Sequence, residues 1–176
     1  MKRDINSNGY IFLYSTVMVV IVAVLLTTAA IWLQPYQQRN KENEKRVKIL
    51  EAAGASEDGK IELIEGEHTF YLVNDSISVI PMQGKGLWGP IWGYLAIAPD
   101  GKTILGANFD HKSETPGLGG EITTEKFQSQ FKGKQIASDG CYVPVEFDAI
   151  TGATRTSNGV KEMIDNTMKL YYWHEP

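Results

Sequence analysis

The sequence predicts an α+β fold, mainly antiparallel sheet with packed helices, preceded by one N-terminal transmembrane helix. Three observations carry this prediction. Ile11 to Leu33 holds no charged residue, a train of short β-leaning runs separated by turn residues fills the middle, and the C-terminal segment has helical periodicity. Strands that cluster before helices, without regular βαβ alternation, belong to α+β rather than parallel architectures. No G-x-G-x-x-G follows a strand to open a helix, so a dinucleotide fold is disfavoured.

The expected organisation is an N-terminal tail at 1–10, a transmembrane helix at 11–33, a stalk at 34–54 and one domain at 55–176. The run IFLYSTVMVVIVAVLLTTAAIWL would span about 34 Å as a helix, against a hydrocarbon core of about 30 Å. Thr16, Thr27 and Thr28 can bond back to helix carbonyls, so they do not interrupt it. Lys2, Arg3 and Thr28-Ala29-Ala30 resemble parts of a signal peptide, but signal cores run about 7–15 residues. The length therefore favours a retained anchor. Lys2 and Arg3 precede the span, while Arg39, Lys41, Lys45, Arg46 and Lys48 follow it. That count weakly favours a cytoplasmic C-terminal side, yet large domains cross largely regardless of such charges. Charge leaves the sidedness open.

Within the domain, Ile61–Ile64 and Thr69–Val73 suit short strands joined at Glu65-Gly66-Glu67. Ser76–Met82 leans to β structure as well. Ile91–Ala98 is the best strand candidate, and Pro99-Asp100-Gly101 turns it into Lys102–Asp110 as a hairpin. Thr124–Phe131 fits a short helix capped by Thr123 or Thr124, with Phe127 and Phe131 on one face. Thr156, Ser157 and Asn158 suit a helix cap, after which Val160, Ile164, Thr167, Met168 and Tyr171 recur at helical spacing.

Residues 55–176 carry 17 acidic and 10 basic side chains, which opposes nucleic-acid binding because that function needs a basic footprint. Cys141 is the single cysteine, so neither an internal disulfide nor a cysteine-based metal site is expected. His68, His111 and His174 are scattered, and His111 and Glu114 lie in a loop-like stretch, so no metal site is expected either.

Three further segments attract attention. Gly84 to Pro90 and Ser113 to Glu121 are rich in glycine and hold Trp88 and Leu118 as apolar side chains in loops. Such loops suit the walls of a flat aromatic site, and equally suit two tight turns with core plugs. Asp148 to Thr154 leads into the last helix. Gly152 permits positive φ or a close approach, and a helix N-terminus beside Arg155 is a natural seat for phosphate. A threonine-rich helix cap explains the same residues.

The string DAITGAT resembles the D-x-x-[ST]-G-A-T signature of the covalent FMN-binding domain family. Together with GKGLW and ETPGLGG, in that order after one span, it is similar to the family of C subunits of sodium-translocating NADH:quinone oxidoreductases. The G subunits of Rnf complexes are close relatives, but ETPGLGGEI and TSNGV lean toward the sodium-pump family. The resemblance covers the anchor and most of residues 80–170, while two stretches, between the anchor and Gly84 and between Lys134 and Asp148, look shortened.

The resemblance implies FMN attached through a phosphoester to Thr154, with Asp148, Thr151, Gly152 and Ala153 around the acceptor. A Mg-dependent flavin transferase would attach it, using FAD as donor. Thr115, Gly117, Leu118 and Gly119 become candidates for lining the flavin ring, with Trp88 less central and Lys85 a possible charge partner. The implied role is electron transfer, with no catalytic residue on this chain. Electrons would come from an iron–sulfur centre in partner membrane subunits and pass toward flavin and ubiquinone. The implied location is the cell inner membrane, single-pass, with the flavin domain on the periplasmic side. An Rnf-type G subunit, or a non-redox membrane-anchored binding module, are the alternatives.

Overall fold

Strand order in the sheet follows chain order. In the computed structural model, which describes residues 8–138 and 140–172, β1 (Ile61–Ile64), β2 (Phe70–Val73), β3 (Ile77–Lys85), β4 (Pro90–Ile97) and β5 (Ile104–His111) form one antiparallel meander. The turns explain this simple topology. Asn74 and Asp75 have φ of 50° and 57° between β2 and β3, and Ser76 N–H donates to the Val73 carbonyl at 3.2 Å. Asn and Asp tolerate this left-handed pair, and the twist of such a turn matches that of the strands it joins. Between β4 and β5 the Asp100 carboxylate accepts from the Lys102 and Thr103 amides at 2.8 and 2.9 Å. β3 outruns β2, whose pairing ends at Val79, so Pro81 falls where β3 has one strand neighbour.

Alternation along the strands gives the sheet two apolar faces. Ile80, Met82, Ile91, Leu95, Ile104 and Phe109 face the main core, where they meet α3 (Thr154–Tyr172) through Val160, Met163, Ile164 and Met168. Phe109, Phe127, Phe131 and Phe147 pack edge-to-face or tilted within it. Val73, Val79 and Ala96 face the opposite side, against Ile49, Leu50, Ala52 and Ala53. Each such large side chain contributes about 1.5–3 kcal/mol when fully buried. At Gly106 an added Cβ would stand 2.5 Å from the Ala52 carbonyl oxygen, so only glycine lets residues 45–53 lie this close to β5.

The chain divides into two compact units, residues 1–44 and 45–176. α1 runs from Asn8 to Ala53 with Pro35 inside it, and contains a stretch long and apolar enough to cross a membrane. Lys2, Arg3 and most of the expected N-terminal tail lie outside the described residues, as does His174.

Several local expectations shift. Gly84 and Lys85 belong to β3 and Pro90 opens β4, so the glycine-rich loop shrinks to residues 86–89, closed by Gly86 N–H to the Gly89 carbonyl at 2.8 Å. The Thr124–Phe131 helix divides into α2 (Glu125–Gln128) and a 3-10 turn at Ser129–Phe131, preceded by another at Gly119–Thr123. Thr124 occupies the N-cap position, but its hydroxyl donates backward to the Glu121 carbonyl at 2.7 Å instead of capping. α3 begins at Thr154 rather than after Asn158, because the Thr156 and Ser157 hydroxyls turn inward to buried partners. A two-stranded hairpin, β6 (Ala137–Ser138) and β7 (Cys141–Tyr142), adds to the expected elements. It is tied to α3 by the Tyr142 hydroxyl, which donates to Asp165; burial, and then Asp165 itself, push the Tyr142 pKa up.

Candidate functional site

The loop entering α3 is held by hydrogen bonds that leave its outer surface free. Ala153 N–H donates to the Ile150 carbonyl at 2.9 Å, and Ser157 Oγ donates to the Ala153 carbonyl at 3.1 Å. The same Oγ accepts from Ile150 N–H at 3.0 Å. Asp148 is tied through its backbone, whose N–H donates to Gln130 Oε1 at 2.8 Å, while its carboxylate stays on the exposed surface. Gly152 takes φ of 78°, and an added Cβ would come 3.1 Å from Leu118 Cδ2. Of these two facts it is the positive φ that favours glycine here, since the leucine tip can move aside. The close approach also shows that Leu118, from the ETPGLGG loop, touches the acceptor loop.

Thr154 is the first residue of α3 and is exposed, with no side-chain partner for its hydroxyl among the described residues. The first-turn amides of a helix lack intrahelical acceptors and carry partial positive charge. Arg155, also exposed, adds a full one. Two clefts open beside this helix start. One, of about 540 Å³, is lined by Asp148, Ala149, Ile150 and Thr151 with Lys126 and Phe127. The other, of about 420 Å³, is lined by Lys85, Gly86, Leu87, Arg155, Asn158 and Glu162.

The two glycine-rich segments and the first turn of α3 meet at one carboxylate that the sequence did not single out as part of the site. Glu114 is 4 % exposed. Its Oε2 accepts the Thr156 hydroxyl at 2.6 Å, and its Oε1 accepts Trp88 N–H at 2.8 Å. Its own N–H donates to His111 Nδ1 at 3.1 Å. Burial is the largest single influence on its pKa and raises it. The Thr156 hydroxyl, the Trp88 and Gly89 amides and nearby His111 together outweigh burial and hold the carboxyl below its ordinary range. A buried carboxylate with all its neighbours donating remains ionised.

This has a consequence for acid stability. A carboxyl whose folded pKa is depressed contributes stability above its unfolded pKa, and that contribution disappears as pH falls through the folded value. Wild-type protein should therefore lose stability below the ordinary Glu value of 4.5, and Glu114→Gln should lose less over the same interval. Thermal melts from neutral pH downward check this. Parallel acid limbs for the two proteins would show that Glu114 does not contribute to the pH dependence.

The other candidates divide by exposure. Thr115, Gly117, Leu118, Trp88, Asp148, Thr151 and Gly152 lie on the surface, with Trp88 67 % and Leu118 42 % exposed. Gly117 takes φ of 73°, and the Thr115 carbonyl accepts from Leu118 and Gly120 N–H at 3.1 and 2.9 Å, which turns the Leu118 side chain outward. Gly119 is buried against Glu114 and Thr156, and Ala153 is buried under the loop. Thr156 and Ser157, which suit caps by sequence, are the buried bolts of the site.

The FMN-binding domain family matches residues 86–169, which include the segment from the Trp88 turn to the last turns of α3. The C subunit of the Na(+)-translocating NADH-quinone reductase of Pasteurella multocida is 44% identical over 105 residues, covering 53% of this chain and 39% of that protein. The chain thus matches about two-fifths of that relative's length. The corresponding subunit of Vibrio anguillarum is 26% identical over 82% of this chain and 84% of its own. The crystal structure of the same reductase's C subunit from Parabacteroides distasonis superposes with a TM-score of 0.66 at 30% identity, covering 82% of this chain and 98% of that one. Likeness at 30% identity that runs through nearly the whole of a solved relative, with the FMN-binding match across the site, places this chain in the family of C subunits of Na(+)-translocating NADH-quinone reductases.

Proposed function

We propose that this chain is the membrane-anchored electron-transfer subunit of a Na(+)-translocating NADH-quinone reductase, carrying FMN through a phosphoester to Thr154. The observation that carries the reading is the Thr154 hydroxyl, exposed and unengaged at the first position of α3. The residues fit such a group. A phosphate there meets free first-turn amides and Arg155, and Gly152 keeps the approach clear of a side chain. Thr115, Gly117 and Leu118 are the proposed ring-side contacts, with Trp88 farther out and Gly119 supporting them from beneath. Asp148 and Thr151 flank the acceptor on the exposed loop, and Ala153 anchors it.

No base on this chain engages the Thr154 hydroxyl among the described residues, so the deprotonation required for attack comes from outside. A flavin transferase with Mg supplies it. The Thr154 Oγ–phosphorus bond forms as the pyrophosphate bond of FAD breaks, AMP leaves, and the hydroxyl proton is released. When bound, the flavin supplies reversible electron transfer. The chain's own residues do not transform a substrate. They hold the phosphate, shape the ring's surroundings and leave one side accessible to neighbouring subunits. In this reading electrons arrive from an iron–sulfur centre of partner subunits and leave toward flavin and quinone. The apolar stretch of α1 anchors the chain in the cell inner membrane, with the flavin domain on the periplasmic side. Covalent attachment suits that side, where a lost cofactor is not recovered.

Expression of the full chain with and without a flavin transferase, followed by denaturing gels under ultraviolet light and peptide mass mapping, tests the reading. A fluorescent band that requires the transferase, with FMN mapped to Thr154, supports it. An unlabelled chain beside a labelled control substrate rejects covalent attachment.

A further inference from the structure

We propose that Glu114 is the positioning residue of the flavin-acceptor site: its carboxylate fixes the start of α3, and with it Thr154, against the 86–89 turn and the ETPGLGG loop. The inference rests on the reading of Thr154 as the flavin acceptor and adds to it the group that sets the acceptor's place. Glu114 lies at the start of the third segment, while its two oxygens reach the other two. Oε2 holds Thr156 at 2.6 Å, two residues after Thr154, and Oε1 holds the Trp88 amide at 2.8 Å. Among the described residues no other side-chain hydrogen bond joins the 86–89 turn to α3.

The glycines around it support the same role. A Cβ on Gly86 would stand 2.5 Å from Glu114 Oε1. A Cβ on Gly119 would stand 2.5 Å from Oε2 and 2.6 Å from Thr156 Oγ1. Two loops distant in sequence therefore each give up a side chain to admit one carboxylate. Burying a charge in this way is costly, and an apolar plug of similar volume would stabilise the same junction at least as well. What the plug lacks is direction. A carboxylate with several donors allows one relative placement of the segments, whereas apolar contacts tolerate sliding. The side chains placed by this junction are exposed: Thr154 on one segment, Trp88 on the second and Leu118 on the third.

The test uses the full chain and the rate of transferase-dependent flavin incorporation, measured well below each variant's melting temperature. Hydrogen exchange at the Trp88 and Gly89 amides is followed in parallel. Glu114→Ala should slow incorporation by about tenfold or more, as expected when an attacking group is misplaced by a fraction of an ångström. The two amides should exchange faster. Glu114→Gln should stay near wild type, because its carbonyl can take the amides while its NH₂ meets a reoriented Thr156 hydroxyl. Should Glu114→Ala not fold, Thr156→Val and Thr156→Ser ask the same question without emptying the cavity. The valine variant should load slowly and the serine variant normally. Folded Glu114→Ala and Thr156→Val proteins that load as fast as wild type overturn the positioning role and leave the acceptor reading intact. A wild type that takes no label overturns the acceptor reading, and the positioning role falls with it.

Discussion

Thr154→Ala should yield a protein with no covalent flavin and an unchanged fold. The hydroxyl it removes is exposed and has no side-chain partner among the described residues, so no buried donor or acceptor is orphaned. Alanine is also the better helix former, and surface changes of this kind usually stay within about 0.5 kcal/mol. Melting temperature should therefore hardly move while gel fluorescence and the modified peptide vanish. Thr154→Ser retains a hydroxyl in the same place and should load, more slowly if the transferase packs against the threonine methyl. Two other threonine hydroxyls in the neighbourhood make the experiment discriminating. Thr151 is exposed on the same loop, whereas Thr156 is 1 % exposed and already committed to Glu114. Covalent flavin persisting in Thr154→Ala would move the attachment to Thr151, the exposed alternative, and would require a different account of why α3 begins where it does.

The frame of this domain is legible in the sequence because its strands obey simple rules. Ile77, Val79 and Pro81 alternate with Ser78, Ile80 and Met82, and each set faces its own side. Glu65-Gly66-Glu67 and Pro99-Asp100-Gly101 mark turns that fold strands back on their neighbours. The last helix is legible in its apolar face for the same reason, since Val160, Ile164 and Met168 are all buried at its contact with the sheet. Its start is not. Thr156 has a side chain that caps helices, and nothing local distinguishes a hydroxyl that caps from one that points into a junction with Glu114. The partner settles that choice, and Glu114 is 42 residues away in sequence.

Glu114 itself is hidden by a sound rule, because acids in loops are usually solvated. Gly84, Gly86 and Gly119 suggest room for a ligand, but each gives room to a part of the protein itself, Met163 in the first case and Glu114 in the other two. Gly152 alone combines positive φ with a place beside the acceptor. The β6–β7 hairpin escapes because strands of two residues are too short for a period-2 pattern. Resemblance alone marks the three segments as belonging together. Spacing along the chain says nothing about a carboxylate that joins them in space.

Gly159→Ala should destabilise the domain, against the ordinary expectation for a helical glycine. In the middle of an exposed helix this change gains about 0.5–1 kcal/mol by removing backbone freedom from the unfolded chain. Here the new Cβ would overlap the Lys85 carbonyl oxygen at the end of β3, and would come 3.5 Å from Gly86 Cα. The obstruction is backbone, which cannot rotate away as a side chain can. On the facing strand, a Cβ on Gly84 would stand 2.7 Å from Met163 Cβ, so helix and strand meet glycine against neighbour on both sides of the crossing. Overpacking of this kind costs about 1–3 kcal/mol, more than the entropic gain, so the net change should lower the denaturation midpoint. Asn158→Ala, one residue earlier and exposed, is the control and should be neutral or slightly stabilising. Because relief of the clash pushes the first turns of α3 off β3, Gly159→Ala should also slow flavin incorporation at Thr154, where Asn158→Ala should not. A Gly159→Ala protein as stable as the control would mean that α3 does not sit this close to β3. The distance between the acceptor and the Trp88 turn would then be set by something other than the close contact at Gly84 and Gly159.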